Sequence, residues 1–165
     1  GGDGDDAIVG GVGTDTILGG PGSDDISGGG NAGDIIDGGE GDDNIETGIG
    51  DDQIRGGPGN DYLLGNEGKN LIYGDSGADR ISSGGGDDTI NAGSGADVIE
   101  PGGGNDYANG AEGDDVISGE LGNDRLYGSS GDDKLFGDDG TDKCDGGTGF
   151  DEDASLSCEI IVNIP

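Results

Sequence analysis

The same nine-residue pattern returns along almost the whole of this 165-residue chain. It opens as GGDGDDAIV (1–9), GGVGTDTIL (10–18) and GGPGSDDIS (19–27). The fourth unit, GGGNAGDIID (28–37), carries one extra residue, and the period resumes at GGEGDDNIE (38–46) and holds through GDDGTDKCD (137–145). That makes sixteen units, followed by a decayed seventeenth, GGTGFDEDA (146–154). Outside the inserted unit the fourth slot is always Gly, from Gly4 to Gly149, and the sixth is Asp in every unit but the eighth, which has Asn70. The eighth slot reads Ile8, Ile17, Ile26, Ile36, Ile45, Ile54, Leu63, Ile72, Ile81, Ile90, Ile99, Ala108, Ile117, Leu126, Leu135 and Cys144. Low-complexity sequence does not hold three slots in phase over such a length. A short fixed period of this kind is the signature of a solenoid, in which stacked copies bury a face that no single copy can bury.

Each slot has a physical reading. The Gly-rich first to fourth slots permit positive φ and a tight turn with its carbonyls turned inward, and the sixth-slot carboxylate stands beside those carbonyls. Slots seven to nine suit a very short strand whose middle residue faces in. Their outer positions are mixed, as expected for solvent-facing sites: Thr16, Gln53, Arg80 and Lys134 at the seventh, Glu46, Arg55 and Asn91 at the ninth. The predicted fold is all-β, a right-handed parallel β-roll or β-helix with two nonapeptides per 18-residue coil and about 8 coils, a rod roughly 40 Å long.

Alternate units then lie above one another. One edge stacks Asp6, Asp24, Asp43, Asp61, Asp79, Asp97, Asp115, Asp133 and Asp151; the other stacks Asp15, Asp34, Asp52, Asn70, Asp88, Asp106, Asp124 and Asp142.

Composition says why such a stack needs help. Lys and Arg number 6 against 38 Asp and Glu, for a net charge of −32, and 44 residues are Gly. Ile, Leu, Val and Phe make up about 19% of the chain, a proportion typical of disordered sequences. A buried Ile or Leu contributes about 1.5–3 kcal/mol, and there is one such position per nine residues. Ordering every backbone residue costs about 1–2 kcal/mol, with Gly the most expensive. Stacking also sets like charges side by side. An outside source of free energy is required, and carboxylate and carbonyl oxygens at a flexible site suit Ca2+ rather than Zn2+ or Mg2+.

The same composition excludes other functions. The chain has no His, Met or Trp, so His-based acid–base catalysis, Ser-His-Asp triads and His-ligated zinc fall away. Six cations and a charge of −32 repel nucleic-acid backbones and anionic lipid surfaces, and no apolar run approaches a membrane span. Acid pairs such as Asp42-Asp43 recur without a partner acid or a pocket, so they are not glycosidase carboxylates. The third and fifth slots of the first units show no row of Thr and Asn of the kind that binds ice. The expectation is a non-enzymatic protein whose partners are calcium ions, with no nucleic acid and no membrane insertion. Because it opens in mid-pattern with Gly1-Gly2, the chain is read as part of a larger one.

GGxGxDxUx is the RTX nonapeptide, and the chain resembles an RTX (hemolysin-type) calcium-binding β-roll over roughly 1–151. The resemblance implies that each Ca2+ is held by Asp carboxylates and Gly-rich-turn carbonyls from two stacked turns. On this chain the first site of the odd edge would use Asp6 and Asp24 with the carbonyls of Gly2, Gly4, Gly19 and Pro21. Carried along the array, the second- and fourth-slot carbonyls include Gly11, Gly13, Gly20, Gly22, Gly39, Gly41, Gly57 and Gly59, then Gly84, Gly86, Gly93, Gly95, Gly102 and Gly104. Nine turns on one edge and eight on the other leave room for at most about 15 ions. Weaker or missing ions are expected beside Asn70 and around the insertion near Asn31. The resemblance further implies a secreted module that stays disordered at low calcium and folds after export. Second-slot departures at Asn66, Asp75, Glu120, Ser129 and Asp138 keep their carbonyls but strain the turn wherever positive φ is needed.

The tail departs most from the pattern. Cys144 takes an inward slot, the seventeenth unit puts Asp153 in its apolar slot, and Cys158 precedes Ile160-Ile161-Val162. Residues 144–158 are read as a disulfide loop, with two free structural thiols as the other reading, and 155–165 as a cap closing the 1–154 roll. A disulfide points to an oxidising compartment. Two other functions stay open: a calcium-dependent carbohydrate-binding or adhesive module using the outward Tyr62, Tyr73, Tyr107 and Tyr127 with Arg80 and Arg125, whose partner would be a polysaccharide, and an accessory domain of an upstream secreted enzyme.

Overall fold

The computed structural model describes residues 1–153 and 158–162. These form strands and turns, with no helix among them. The chain winds as a parallel β-solenoid of about 8 turns. Strands of the odd-numbered units build one sheet in the order Ala7–Val9, Asp25–Ser27, Asn44–Glu46, Tyr62–Leu64, Arg80–Gly85, Val98–Gly104, Val116–Ser118, Lys134–Phe136 and Glu152–Asp153. Strands of the even-numbered units build the other, from Thr16–Pro21 and Ile35–Glu40 to Arg125–Ser130, Asp142–Thr148 and Cys158–Val162. Each strand pairs in parallel with the strand two units on, as Ile8 with Ile26 and Ile90 with Ala108.

The eighth slot does face inward. From Ile17 to Cys144 it forms one continuous buried column, with Ile45 and Ile72 fully enclosed, and Ile8 packs on its open first end. The outer seventh slots stay exposed at Thr16, Gln53, Arg80 and Lys134.

Many strands are longer than the three residues their sequence suggests. Thr16–Pro21, Gln53–Pro58, Thr89–Ser94 and Arg125–Ser130 span 6 residues each, running through the Gly-rich first to third slots of the next unit. The cause is the stacking itself. When successive turns repeat in register, the N–H and C=O groups of those slots meet the same groups one turn on, and the ladder continues through residues with no β propensity of their own.

The extra residue of the fourth unit is absorbed within its turn. Gly29 and Gly30 adopt φ of 76° and 63°, and Ile17 still pairs with Ile36 and Gly20 with Gly39 on the far side. Both columns therefore keep their phase through the insertion.

At the other end Cys144 and Cys158 are joined by a disulfide, with a Cα–Cα distance of 5.8 Å, and no free cysteine remains. Cys158–Val162 adds a last parallel strand to Asp142–Thr148, with a register shift between Asp142 and Lys143. Of the segment read as a cap, residues 155–157 and 163–165 lie outside the described residues. No helix among the described residues is long and apolar enough to cross a membrane.

Candidate metal centres

Sixth-slot side chains line the two edges where the chain passes from one sheet to the other. From Asp24 to Asp142, Asn70 included, they are buried. One carboxylate oxygen ties each turn to the turn before it. The main-chain N–H of Asp24 donates to Asp43 Oδ1 at 2.8 Å, that of Asp43 to Asp61 Oδ1 at 2.8 Å and that of Asp115 to Asp133 Oδ1 at 2.9 Å. The other edge repeats this from Asp15 to Asp34 at 2.8 Å and from Asp106 to Asp124 at 2.8 Å. The two stacks are those expected from the period.

The second oxygen has no hydrogen-bond partner. Oδ2 of Asp15, Asp24, Asp34, Asp43, Asp52, Asp61, Asp79, Asp88, Asp97, Asp106, Asp115, Asp124, Asp133 and Asp151 is enclosed and accepts no bond. A carboxylate oxygen left in this condition is costly, and it marks a place for a cation or a proton. The oxygens point beside the first slot of their own unit. A Cβ placed on Gly10 would lie 2.7 Å from Asp15 Oδ2 and 2.7 Å from the carbonyl oxygen of Gly28, the first-slot residue of the next turn on that edge. At Gly119 the same point is 2.7 Å from Asp124 Oδ2 and 2.9 Å from the Gly137 carbonyl oxygen. Glycine holds the first slot there because oxygen atoms from two turns occupy the space a side chain would take.

Second- and fourth-slot carbonyls are turned toward the next turn in the same way. Those of Gly2 and Gly4 lie where a Cβ on Gly20 or Gly22 would sit. Gly41, with φ of 125°, faces the Gly22 carbonyl so closely that no side chain fits. Where the second slot is not Gly, φ stays positive: Asn66 60°, Asp75 75°, Glu120 70°, Ser129 78° and Asp138 62°, the five departures noted above, together with Ala111 at 80°. In the first turn Asp6 Oδ2 accepts the Gly2 N–H at 2.7 Å, and the Pro21 carbonyl accepts the Gly4 N–H at 2.6 Å.

Burial raises these carboxyl groups out of their ordinary range. Asp61 and Asp115 are pushed up to about 7, and Asp79, Asp88, Asp97, Asp106 and Asp124 to about 6. Desolvation is the largest cause in each, opposed by the ladder N–H and, in most, reinforced by the neighbouring Asp of the stack. Among the described residues, no three His, Cys, Asp or Glu side chains converge on one point. Carboxylates alone do not make a cage here, and any ion must complete its shell with carbonyls. Buried, anionic oxygen without a donor, facing main-chain oxygen from the next turn, is a donor set for a hard cation of the calcium kind.

The model of the RTX calcium-binding nonapeptide repeat matches the sequence at residues 1–33, 28–63, 64–99, 93–126, 100–135 and 118–152, nearly its whole length. The chain belongs to this family. An RTX repeat array is a structural calcium-binding module rather than a catalytic fold, and this chain is a calcium-binding repeat module. No curated protein matches it.

Sequence reasoning missed four first-slot side chains. Thr47, Ser83, Ala92 and Pro101 replace Gly there and are buried. The signal was present, since these are the units whose first slot is not Gly, but nothing in the period said that this slot faces inward. The outward tyrosines do not share one face: Tyr62 and Arg80 stand on the odd-unit sheet, Tyr73, Tyr107, Tyr127 and Arg125 on the even-unit sheet. Tyr107 and Tyr127 lie against each other, ring centroids 5.2 Å apart. On the outer rim the fifth slots do form a row in the later units, Asp87, Asn105, Asn123 and Thr141, linked by bonds such as Asn123 Nδ2 to Asn105 Oδ1 at 2.9 Å.

Proposed function

We propose that Ca2+ bound between stacked turns drives the folding of this module, each ion held by sixth-slot carboxylates of two successive turns and by second- and fourth-slot carbonyls, and that the module works outside the cell. The observation that carries the reading is the pair of columns of enclosed, unpartnered Oδ2 atoms. An ion-free stack would hold these oxygens either charged and unsolvated or protonated well above the usual carboxylate range. An unfolded chain keeps them in water. The cation therefore stabilises the folded state over the unfolded one, and binding and folding are one equilibrium. Millimolar calcium outside cells suits sites built of carbonyls and few charges, and the disulfide fits the same compartment. The last strand, tied by Cys144–Cys158, covers the open edge of Asp142–Thr148 as the cap of the array.

The test is far-UV circular dichroism during a calcium titration from EDTA, with magnesium as control. A cooperative coil-to-β transition with calcium and none with magnesium supports the reading. A β spectrum present and unchanged in EDTA overturns it.

A further inference from the structure

One stretch of the even edge supplies its own donors. Thr47 Oγ1 donates to the carbonyl of Gly65 at 2.7 Å, Asn70 Nδ2 to the carbonyl of Ser83 at 3.1 Å, and Ser83 Oγ to the carbonyl of Pro101 at 2.8 Å. All three acceptors are first-slot carbonyls of the following turn, the kind of oxygen that faces an unpartnered Asp Oδ2 at Gly10 and Gly119. The three bonds fall in three consecutive gaps on one edge, those between Asp52 and Asn70, Asn70 and Asp88, and Asp88 and Asp106.

All three donors are buried. Asn70 is the clearest case. Its Oδ1 keeps the ladder, accepting the Asp52 N–H at 3.1 Å, while its Nδ2 spans to the next turn. An amide carries no charge and its N–H is a donor, so it offers this gap a hydrogen where its neighbours offer an anionic oxygen. Thr47 and Ser83 each have one hydroxyl proton and give it to the Gly65 and Pro101 carbonyls, so the Oδ2 atoms of Asp52 and Asp88 stay enclosed and unpartnered.

We propose that Asn70 closes the gap between itself and Asp88 without a metal, its side-chain N–H taking the place of the cation there. The even edge then binds its ions in two separate rows, one on each side of the Asn70–Asp88 gap, while the odd edge at the same height binds one unbroken row. This rests on the reading of cations between stacked turns. The bonds of Thr47, Asn70 and Ser83 also give the array a middle segment whose turns are joined on one edge before any ion arrives.

The experiment counts calcium bound per chain, by equilibrium dialysis and elemental analysis at saturating free calcium, with circular dichroism on the same samples to report folding. The wild-type chain is compared with N70D, which returns a carboxylate to the gap, and with T47G/S83G, which removes the two hydroxyls and keeps Asn70. N70D should bind about one more ion per folded chain than wild type, and T47G/S83G the same number as wild type. Equal counts in folded wild type and N70D overturn the Asn70 proposal and leave the cation reading standing; a wild-type chain that binds no calcium overturns both. If the variants do not fold, the wild type decides. The Asn70 side-chain amide protons of the calcium-loaded protein should exchange slowly in nuclear magnetic resonance spectra, and fast exchange overturns the proposal.

Discussion

The main-chain N–H of Asp61 donates to Oδ1 of Asp79, 2.8 Å away and one full turn further along the solenoid. The two halves of the Asp79 carboxylate thus differ: Oδ1 holds the turn before it, and Oδ2 is enclosed without a hydrogen-bond partner, where the proposed reading places a cation. Asp79→Asn keeps an acceptor for the ladder, as Asn70 does for Asp52, and removes the charge. It should fold at high calcium with a midpoint raised severalfold. Asp79→Ala also strands a buried N–H, a further cost of about 1–3 kcal/mol. Calcium titrations of the two variants by circular dichroism separate the duties; identical midpoints would show that Oδ1 contributes nothing.

On the proposed reading, protons and calcium compete for the same oxygens. In the ion-free stack Asp61 and Asp115 titrate near about 7 and Asp79, Asp97 and Asp106 near about 6, against 3.8 for an exposed Asp. A folded-state pKa raised in this direction gives stability that is full below about 4 and is lost as pH rises through 6 to 7. Without calcium, the chain should therefore show more β structure at pH 4 than at pH 8. With calcium the order reverses: the calcium midpoint should climb as pH falls from 7 to 5. Dichroism across that range in EDTA and in calcium checks both signs.

Ala111 holds φ of 80° in a slot that is Gly in most units, without a polar side chain such as those that bond Asn66 to the Thr47 carbonyl and Asp75 to Arg55 of the preceding turn. Ala111→Gly should stabilise the calcium-loaded protein by up to about 1 kcal/mol, the strain relieved outweighing the extra freedom of the unfolded chain. Thermal melts at fixed free calcium measure it; a lower melting temperature would mean the turn tolerates Ala without strain.

Reducing the Cys144–Cys158 disulfide opens a loop of 14 residues' separation, worth about 3 kcal/mol in the chain-entropy account. The loss should stay local, since each turn touches only its neighbours. Hydrogen exchange after reduction should accelerate in Cys158–Val162 and the facing Asp142–Thr148, with strands such as Thr89–Ser94 unchanged. Uniform acceleration along the array would show that the last strand supports the whole.

The period made the stack, its two-unit register and both Asp columns legible, because one slot in nine had to face inward and Ile8, Ile17 and Ile26 say which. Strand length was not legible. Gly19-Gly20-Pro21 has the composition of a turn, and extends a strand only because Gly38-Gly39-Glu40 lies opposite it. The direction of each Asp oxygen was hidden for the same reason, being set by an N–H one turn away. Asn70 read as a lost ligand; only with Ser83 in place does it read as a substitute.

The insertion at residues 28–33 changes neither the pairing of Ile17 with Ile36 nor the bond from Asp15 to Asp34. Length in this molecule is therefore kept by the strands alone, and the turns can swell without disturbing the gauge. Such a rod is a ruler graduated in pairs of repeats, roughly 4.8 Å to the mark, and the bend at Asn31 is where foreign sequence could be hung from it without altering the scale.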